Sequence, residues 1–164
     1  NSVLQHFRQV SRRITLKKMI LLFSRLVHIQ AADKDINHPT ILAMVKRIYN
    51  FNLKSNPSIL ADFMKYSAML GIRDQRLWRK LLSEMYLADF SMHLSYFAEV
   101  IRNIPKVGIY DPEVWDHLQA QTIKFMKYQR PQLGKKVPRD LMLGFIWSKV
   151  KLQPELEELI ISSL

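Results

Sequence analysis

Lysine and arginine are the side chains with the clearest chemistry in this sequence, because they cluster in two blocks that contain no acidic residue. The first basic block, residues 1–32, contains Arg8, Arg12, Arg13, Lys17, Lys18 and Arg25. The second basic block, residues 123–139, contains Lys124, Lys127, Arg130, Lys135, Lys136 and Arg139. Ammonium and guanidinium groups bind phosphate oxygens through charge-assisted hydrogen bonds. Both blocks are therefore candidate contacts for a polyanion.

The charge of the whole chain favours the same chemistry. Among 164 residues, 25 are Lys or Arg and 14 are Asp or Glu, which gives a formal net charge of +11. A cationic protein binds polyanions because association releases the counterions condensed on them. Nucleic acid is the first candidate ligand and an anionic membrane surface is the second. A basic subunit packed against acidic proteins would carry the same charge, so that alternative stays open.

Motifs for catalysis or for cofactor binding are missing from the sequence. The absence of cysteine excludes thiolate metal sites and cysteine nucleophiles. The four glycines form no phosphate-binding loop, and no serine lies in a Gly-x-Ser-x-Gly turn. The histidines show no metal-ligand spacing; they are His6, His28, His38, His93 and His117. We therefore expect a protein that is not an enzyme and that holds no metal or cofactor.

A stretch that occurs twice indicates how the chain folds. Residues 61–81 reappear 37 positions later as residues 98–118 without a gap. The identical pairs include Gly71 and Gly108, Ile72 and Ile109, Asp74 and Asp111, Trp78 and Trp115, and Leu81 and Leu118. A period of about 20–50 residues is typical of solenoids, in which each unit buries its apolar face against its neighbours. The scarcity of glycine and the many helix-forming residues predict helical units.

Each copy has the pattern of two helices joined by a short turn. Gly71 and Gly108 are expected to end the first helix in the left-handed conformation, and Asp74 and Asp111 to cap the second. The tryptophan four residues after each Asp could stack on a nucleic-acid base, but its place on the apolar stripe favours the core between the helices. Asn56 is expected to cap the first helix of the first copy.

The whole chain is predicted to be one all-α domain, residues 1–164, built as a right-handed α-solenoid of about four antiparallel hairpins. A degenerate third copy lies 42 residues after the second, and a loop from Tyr128 to Pro138 absorbs the extra length. The hairpins are expected at residues 13–51, 56–87, 90–128 and 136–164, after a basic helix at residues 1–12. No run of about 18 apolar residues exists, so no transmembrane segment is predicted.

Lys65 and Arg102 occupy the same position in the two copies, nearly opposite the apolar face of the first helix. Stacked units would align them on one surface, where a row of cations can contact successive phosphates. Exposed helix positions are often Lys or Arg in any protein, so the pattern fits an ordinary solvated face equally well. Both residues are kept as candidate RNA contacts.

The two copies resemble the heptatricopeptide repeats, relatives of the octotricopeptide repeats and of the helical arrays in FAST-kinase-like RAP proteins, over Leu60–Leu81 and Phe97–Leu118, with a looser echo at residues 141–160. The shared features are a hairpin of 37 residues, an Asp that opens the second helix and a Trp four residues later. The resemblance implies organellar RNA binding, in RNA processing, stability, translation or the mitochondrial ribosome. It therefore implies a mitochondrial matrix location, with rRNA as a partner.

These features lead to the hypothesis of a mitochondrial ribosomal or ribosome-associated protein, surrounded by other proteins of a large assembly, that contacts rRNA phosphates. The alternative is a protein-interaction scaffold, such as an accessory subunit of a respiratory complex, whose binding would survive nuclease treatment. A third interpretation is membrane-surface binding by the basic amphipathic helix at residues 13–31, which would require anionic lipid. That segment is also similar to an organelle-targeting sequence, although its broad apolar face suits a packed helix better.

Overall fold

Eight α-helices make up the computed structural model of the protein, which describes residues 15–29, 39–88, 92–129 and 134–164. They are α1 (Leu16–Ile29), α2 (Pro39–Ile48), α3 (Pro57–Met69), α4 (Gln75–Ala88), α5 (Leu94–Asn103), α6 (Pro112–Gln129), α7 (Lys136–Ser148) and α8 (Pro154–Ile161). These ranges contain no β-strand, so the predicted all-α class is confirmed. The helix predicted at residues 1–12 lies outside the described residues.

Two helix boundaries differ from the prediction. α2 ends at Ile48, not at residue 51, because the Asn50 amide bonds to the Arg47 carbonyl only three residues back and the chain turns out of the helix. The loop predicted from Tyr128 to Pro138 is shorter than expected. α6 continues to Gln129, and Pro138 lies in the first turn of α7, where a missing N–H costs no hydrogen bond.

The chain divides into two compact units, residues 1–88 and residues 89–164. In the first unit α3 packs against both α1 and α4. Phe23 of α1 meets Phe63 of α3 edge to face, with ring centroids 5.6 Å apart, and both rings are buried. Edge-to-face pairs of this kind add to the gain from burial, so they fix how α1 lies on α3.

In the second unit α5 packs along α7 and α6 packs against α8, while α5 also touches α6 and α7 touches α8. Trp115 of α6 lies edge to face with Phe145 of α7, with ring centroids 5.7 Å apart. Phe97 of α5 packs on Phe125 of α6, with ring centroids 4.9 Å apart. One pair of consecutive helices therefore packs on the next pair, an arrangement compatible with an α-solenoid.

A left-handed glycine follows the first helix of both copies, directly after the C-cap of α3, as predicted, but only after an added 3₁₀ turn in the second copy. Gly71 has φ +73° and Gly108 has φ +79°, a region that side chains with a Cβ avoid. After α3 the Ile72 amide bonds to the Ser67 carbonyl at 3.0 Å, which closes the turn. In the second copy α5 ends earlier, and a 3₁₀ helix, Ile104–Val107, leads to Gly108. Pro105 has no N–H for the α-helical bond, so this last turn tightens.

The tryptophans lie in the core, as their place on the apolar stripe predicts. Trp78 is 3% exposed and Trp115 is fully buried. The Trp78 indole N–H donates to the Ile72 carbonyl at 2.7 Å, and the Trp115 indole N–H donates to the Ile109 carbonyl at 2.8 Å. Each indole therefore ties the second helix of its copy to the turn before it, and neither ring is available to stack on a base.

Aspartate caps the second helix in both copies. Asp74 Oδ1 accepts from the Leu77 amide at 2.9 Å, and Asp111 Oδ1 accepts from the Glu113 amide at 3.0 Å. Asn56 occupies the N-cap position of α3, as predicted, but its side chain makes no bond to the start of the helix. Its amide lies 3.4 Å from the Ser55 hydroxyl instead, and the helix begins with the preset φ of a proline.

Gly144 marks the closest approach of α7 to α5. A Cβ placed on Gly144 would lie 2.5 Å from the Ile101 carbonyl oxygen and 2.7 Å from the Ile101 side chain. Backbone atoms cannot move away as the end of a flexible side chain can, so any larger residue would push the two helices apart. Glycine inside a helix costs about 1 kcal/mol relative to alanine. Its presence here is explained by the close packing.

Gly144→Ala is expected to lower the free energy of unfolding by about 2 kcal/mol, because overpacking against the α5 backbone outweighs the gain in helix propensity. Urea unfolding followed by circular dichroism measures the change. Gly134→Ala is the matched control, since a Cβ there meets nothing within 4 Å and φ is not positive. Equal stability of the two variants would contradict the close approach.

Candidate polyanion-binding surface

The positive charge of the chain is concentrated in the first unit. Residues 1–88 contain 15 Lys or Arg and 5 Asp or Glu, a net charge of +10. Residues 89–164 contain 10 Lys or Arg and 9 Asp or Glu, a net charge of +1. Both units are helical but differ in charge, so helical structure does not by itself impose the charge. A polyanion would be attracted mainly to the first unit.

Several cations of the second basic block are paired with carboxylates. Lys127 forms an ion pair with Glu155. Lys136 Nζ lies 2.8 Å from Glu99 Oε1 and 3.1 Å from Asp140 Oδ2. The hydrogen bond to Glu99 is the main cause of a raised pKa for Lys136, which burial partly offsets. The acid-free run in the sequence therefore does not remain free of acids in the fold, because α5 and α8 bring carboxylates to it.

Arg102 and Lys136, both candidates from the sequence, are brought together by Asp140. The Asp140 side chain is 3% exposed, and its Oδ1 accepts from Arg102 at 2.7 Å. Lys106, which the sequence reasoning missed, lies close to Arg102, and its pKa is lowered by burial and by the neighbouring guanidinium. This cluster joins α5 to α7. Two carboxylates partly neutralise its three cations, so it is a weaker phosphate site than the sequence predicts.

The remaining candidates of the second block are surface residues. Lys124 and Lys135 are exposed, as is Arg139, while Arg130 lies outside the described residues. In the first block Lys17, Lys18 and Arg25 are exposed on α1. Arg8, Arg12 and Arg13 also lie outside the described residues.

The exposed cations of α1 lie on the side opposite its core residues. Met19 and Phe23, one helical turn apart, are buried, whereas Lys17, Lys18 and Arg25 face solvent. The amphipathic packed helix predicted for residues 13–31 is therefore confirmed over Leu16–Ile29. Its apolar side is used by the fold, and its basic side is available to a ligand.

Lys65 of α3 is half-buried, and its ammonium lies 5.5 Å from the centroid of the Tyr66 ring. Such a cation–π contact is weak at a surface, about 0.5–1 kcal/mol, so it does not prevent a phosphate contact. Lys65 belongs to the first unit and Arg102 to the second. Their alignment in a single row stays a prediction.

The described carboxylates of the first unit include two that are committed to internal hydrogen bonds. Asp74 accepts from the Leu77 amide, the main cause of its lowered pKa, and from the Tyr49 hydroxyl at 2.9 Å. Burial together with this bond raises the pKa of Tyr49 to about 12. Asp74 and Glu84 each accept a hydrogen bond from a backbone amide, so part of their negative charge is used within the fold.

Glu84 of α4 fixes the loop that precedes α3. Its carboxylate accepts from the Lys54 amide at 2.6 Å and from Lys80 Nζ at 2.8 Å, and Lys80 also donates to the Phe51 carbonyl at 2.9 Å. Burial acts to raise the pKa of Glu84, but these hydrogen bonds outweigh it and the pKa is lowered.

Arg73, Arg76 and Arg79 are functional candidates that the sequence reasoning missed. All three are exposed, immediately before α4 or in its first two turns. They lie outside the acid-free blocks, because Asp74 interrupts the run. The available signal was their spacing of three residues, which places neighbours on one side of a helix.

Metal and membrane sites were sought over the same described residues. No group of three or more His, Asp or Glu side chains there could hold a metal ion. None of the described helices is both long enough and apolar enough to cross a membrane. Searches against protein-family models, curated proteins and solved structures found no match to this chain. Function is therefore inferred from the residues themselves.

Asp74→Asn is expected to make stability less dependent on acidic pH. The pKa of Asp74 is lower in the folded than in the unfolded chain, so its carboxylate stabilises the fold above about pH 4, and this contribution is lost as the pH falls further. Asparagine caps helices about as well but does not ionise.

The free energy of unfolding, measured between about pH 7 and about pH 2.5, should therefore fall less for the variant than for the native chain. Asp116→Asn is a matched control on the exposed side of α6. If the free energy of unfolding falls with pH equally in the native chain and in Asp74→Asn, the lowered pKa of Asp74 in the folded chain is contradicted.

Proposed function

We propose that this protein is a non-enzymatic RNA-binding helical-repeat protein of the mitochondrial matrix, a ribosomal or ribosome-associated subunit that contacts rRNA phosphates. In this proposal the chain forms one right-handed α-solenoid of four hairpins with a 37-residue repeat. The resemblance to heptatricopeptide repeats supports the RNA ligand and the organelle. The excess of positive charge supports contact with phosphates.

The observation that carries this proposal is the concentration of charge in residues 1–88, with a net charge of +10 against +1 in the rest of the chain. Cations that serve solubility alone have no reason to collect in one of two helical units. Asp74 and Glu84 are used in capping and in holding a loop. Lys17, Lys18 and Arg25 remain exposed beside no acid on their own helix.

The exposed lysines and arginines of residues 1–88 are better suited to contact RNA phosphates than to recognise RNA bases. The two tryptophans of the repeats are buried, so the repeated positions offer no ring on which a base could stack. Shape and backbone contacts dominate the recognition of folded RNA. Binding should therefore depend on salt more than on base sequence.

The affinity for a fluorescently labelled RNA stem-loop, measured by anisotropy, is expected to fall by at least about tenfold between about 50 and 200 mM salt, because phosphate contacts release counterions. Reversing Lys17, Lys18 and Arg25 to Glu should weaken binding by a further factor of about ten. A flat response to salt, or native affinity in this variant, would contradict the proposal.

The matched control reverses Lys124, Lys135 and Arg139 to Glu in the second unit. The same number of charges changes, but the loss of affinity should be smaller because that unit is nearly neutral. Circular dichroism verifies that both variants stay helical.

A protein-interaction scaffold is the second candidate, favoured by apolar surface at the end of α7. Ile146 is 59% exposed and Trp147 is 40% exposed. Ile146, Val150 and Leu152 line a shallow groove of about 290 Å³. One or two apolar side chains from a partner helix would fill this groove. Such binding would survive nuclease treatment and would be lost in Ile146→Glu, whereas reversal of the cations would leave it intact.

A further inference from the structure

Arg73, Arg76 and Arg79 form an exposed group at the start of α4, called here the arginine ridge. Residues three apart on a helix have Cβ atoms about 5–6 Å from each other on the same side, so Arg76 and Arg79 are neighbours. Trp78 lies between them in the sequence but points into the core. The ridge therefore lies on the outer side of a helix that the indole–carbonyl bond holds in place.

The second copy carries the opposite charge at the same positions. With the offset of 37, Arg76 corresponds to Glu113 and Arg79 to Asp116. Both acids are exposed in the first two turns of α6, as the arginines are in α4. The tryptophan bond is the same in both copies, and an aspartate caps the second helix of each, Asp74 through the Leu77 amide and Asp111 through the Glu113 amide. The helical hairpin therefore accepts either sign of charge here, and the arginines are not needed for folding.

The groups around the ridge leave its charge positive. Asp74 is the nearest described carboxylate in the sequence, and it interacts with Arg76 while it accepts from the Leu77 amide and the Tyr49 hydroxyl. Lys80 and Glu84, on the same helix, pair with each other at 2.8 Å. Among the described residues, Asp74 is the carboxylate shown to interact with the ridge, through Arg76, and it is already hydrogen-bonded within the fold.

We propose that the arginine ridge is a phosphate-binding site for the RNA backbone, an inference that rests on the proposed RNA-binding function. Guanidinium groups match phosphate because each presents two parallel N–H donors to two oxygens. Neighbouring arginines on a rigid helix offer such forks to adjacent phosphodiesters without base contact, so the ridge fixes the position of the RNA but does not read its sequence.

The proposal is tested by replacing the ridge arginines with the acidic residues that the second copy carries at the same positions. Arg76→Glu with Arg79→Asp gives α4 the residues that α6 carries at the same positions, so the fold should be kept. This variant should bind the labelled RNA stem-loop at least about tenfold more weakly, and the slope of log affinity against log salt should become shallower by about 1.5 to 2. If the native chain binds the RNA and this variant keeps the same affinity and salt slope, the proposal that the ridge binds phosphate is overturned.

A charge exchange distinguishes binding at the ridge from a general effect of the net charge of the chain. The variant that adds Glu113→Arg and Asp116→Arg to the two changes above restores the formal net charge of +11. It should remain weak, because the cations now lie on the second unit. Recovery of native affinity would overturn phosphate binding by the ridge but would leave the proposed RNA-binding function intact. A native chain that binds no RNA at all would overturn both.

Lysine variants test the guanidinium chemistry. Arg76→Lys with Arg79→Lys keeps both charges but removes the paired donors. Affinity is expected between that of the native chain and that of the acidic variant, with the salt slope close to native. An affinity as low as that of the acidic variant would contradict binding by charge at the ridge.

Discussion

The hydrogen bond from a buried indole to the turn before its helix is the contact on which both copies depend. It joins Trp78 to Ile72 and Trp115 to Ile109. An indole N–H buried without a partner would cost about 1–3 kcal/mol, so the tryptophan requires this conformation of the turn. The left-handed glycine before the turn makes that conformation accessible. With the hairpin fixed from inside, the residues on its outer side can change charge without loss of structure.

Much of the helical framework can be predicted from the sequence because its determinants are local. Caps, left-handed glycines and apolar spacing act within a few residues, and the repeat presents them twice. The tight turn at Pro105 and the close approach at Gly144 were missed. The first depends on a single missing N–H in an otherwise helical pattern. The second depends on the distance between α5 and α7, which no pattern within α7 reveals.

The candidate site was harder to predict because ion pairs form between distant parts of the chain. Asp140 meets Arg102 from 38 positions away, and Lys136 meets Glu99 from 37 positions away. Counting cations along the sequence therefore overestimates the charge of the second basic block. The division of charge between the units could be computed from the sequence, but only after the boundary near residue 88 was known. The arginines beside Asp74 do not stand out as a basic block because this aspartate interrupts the run of cations.

Residues 1–88 are expected to carry the contacts with the polyanion. Photo-crosslinking of the full chain to an RNA that contains 4-thiouridine, followed by mass spectrometry of the crosslinked peptides, locates the RNA directly. The crosslinks should fall mainly within residues 1–88, including the peptides that contain α1 and the start of α4. Crosslinks confined to residues 124–139 would contradict it.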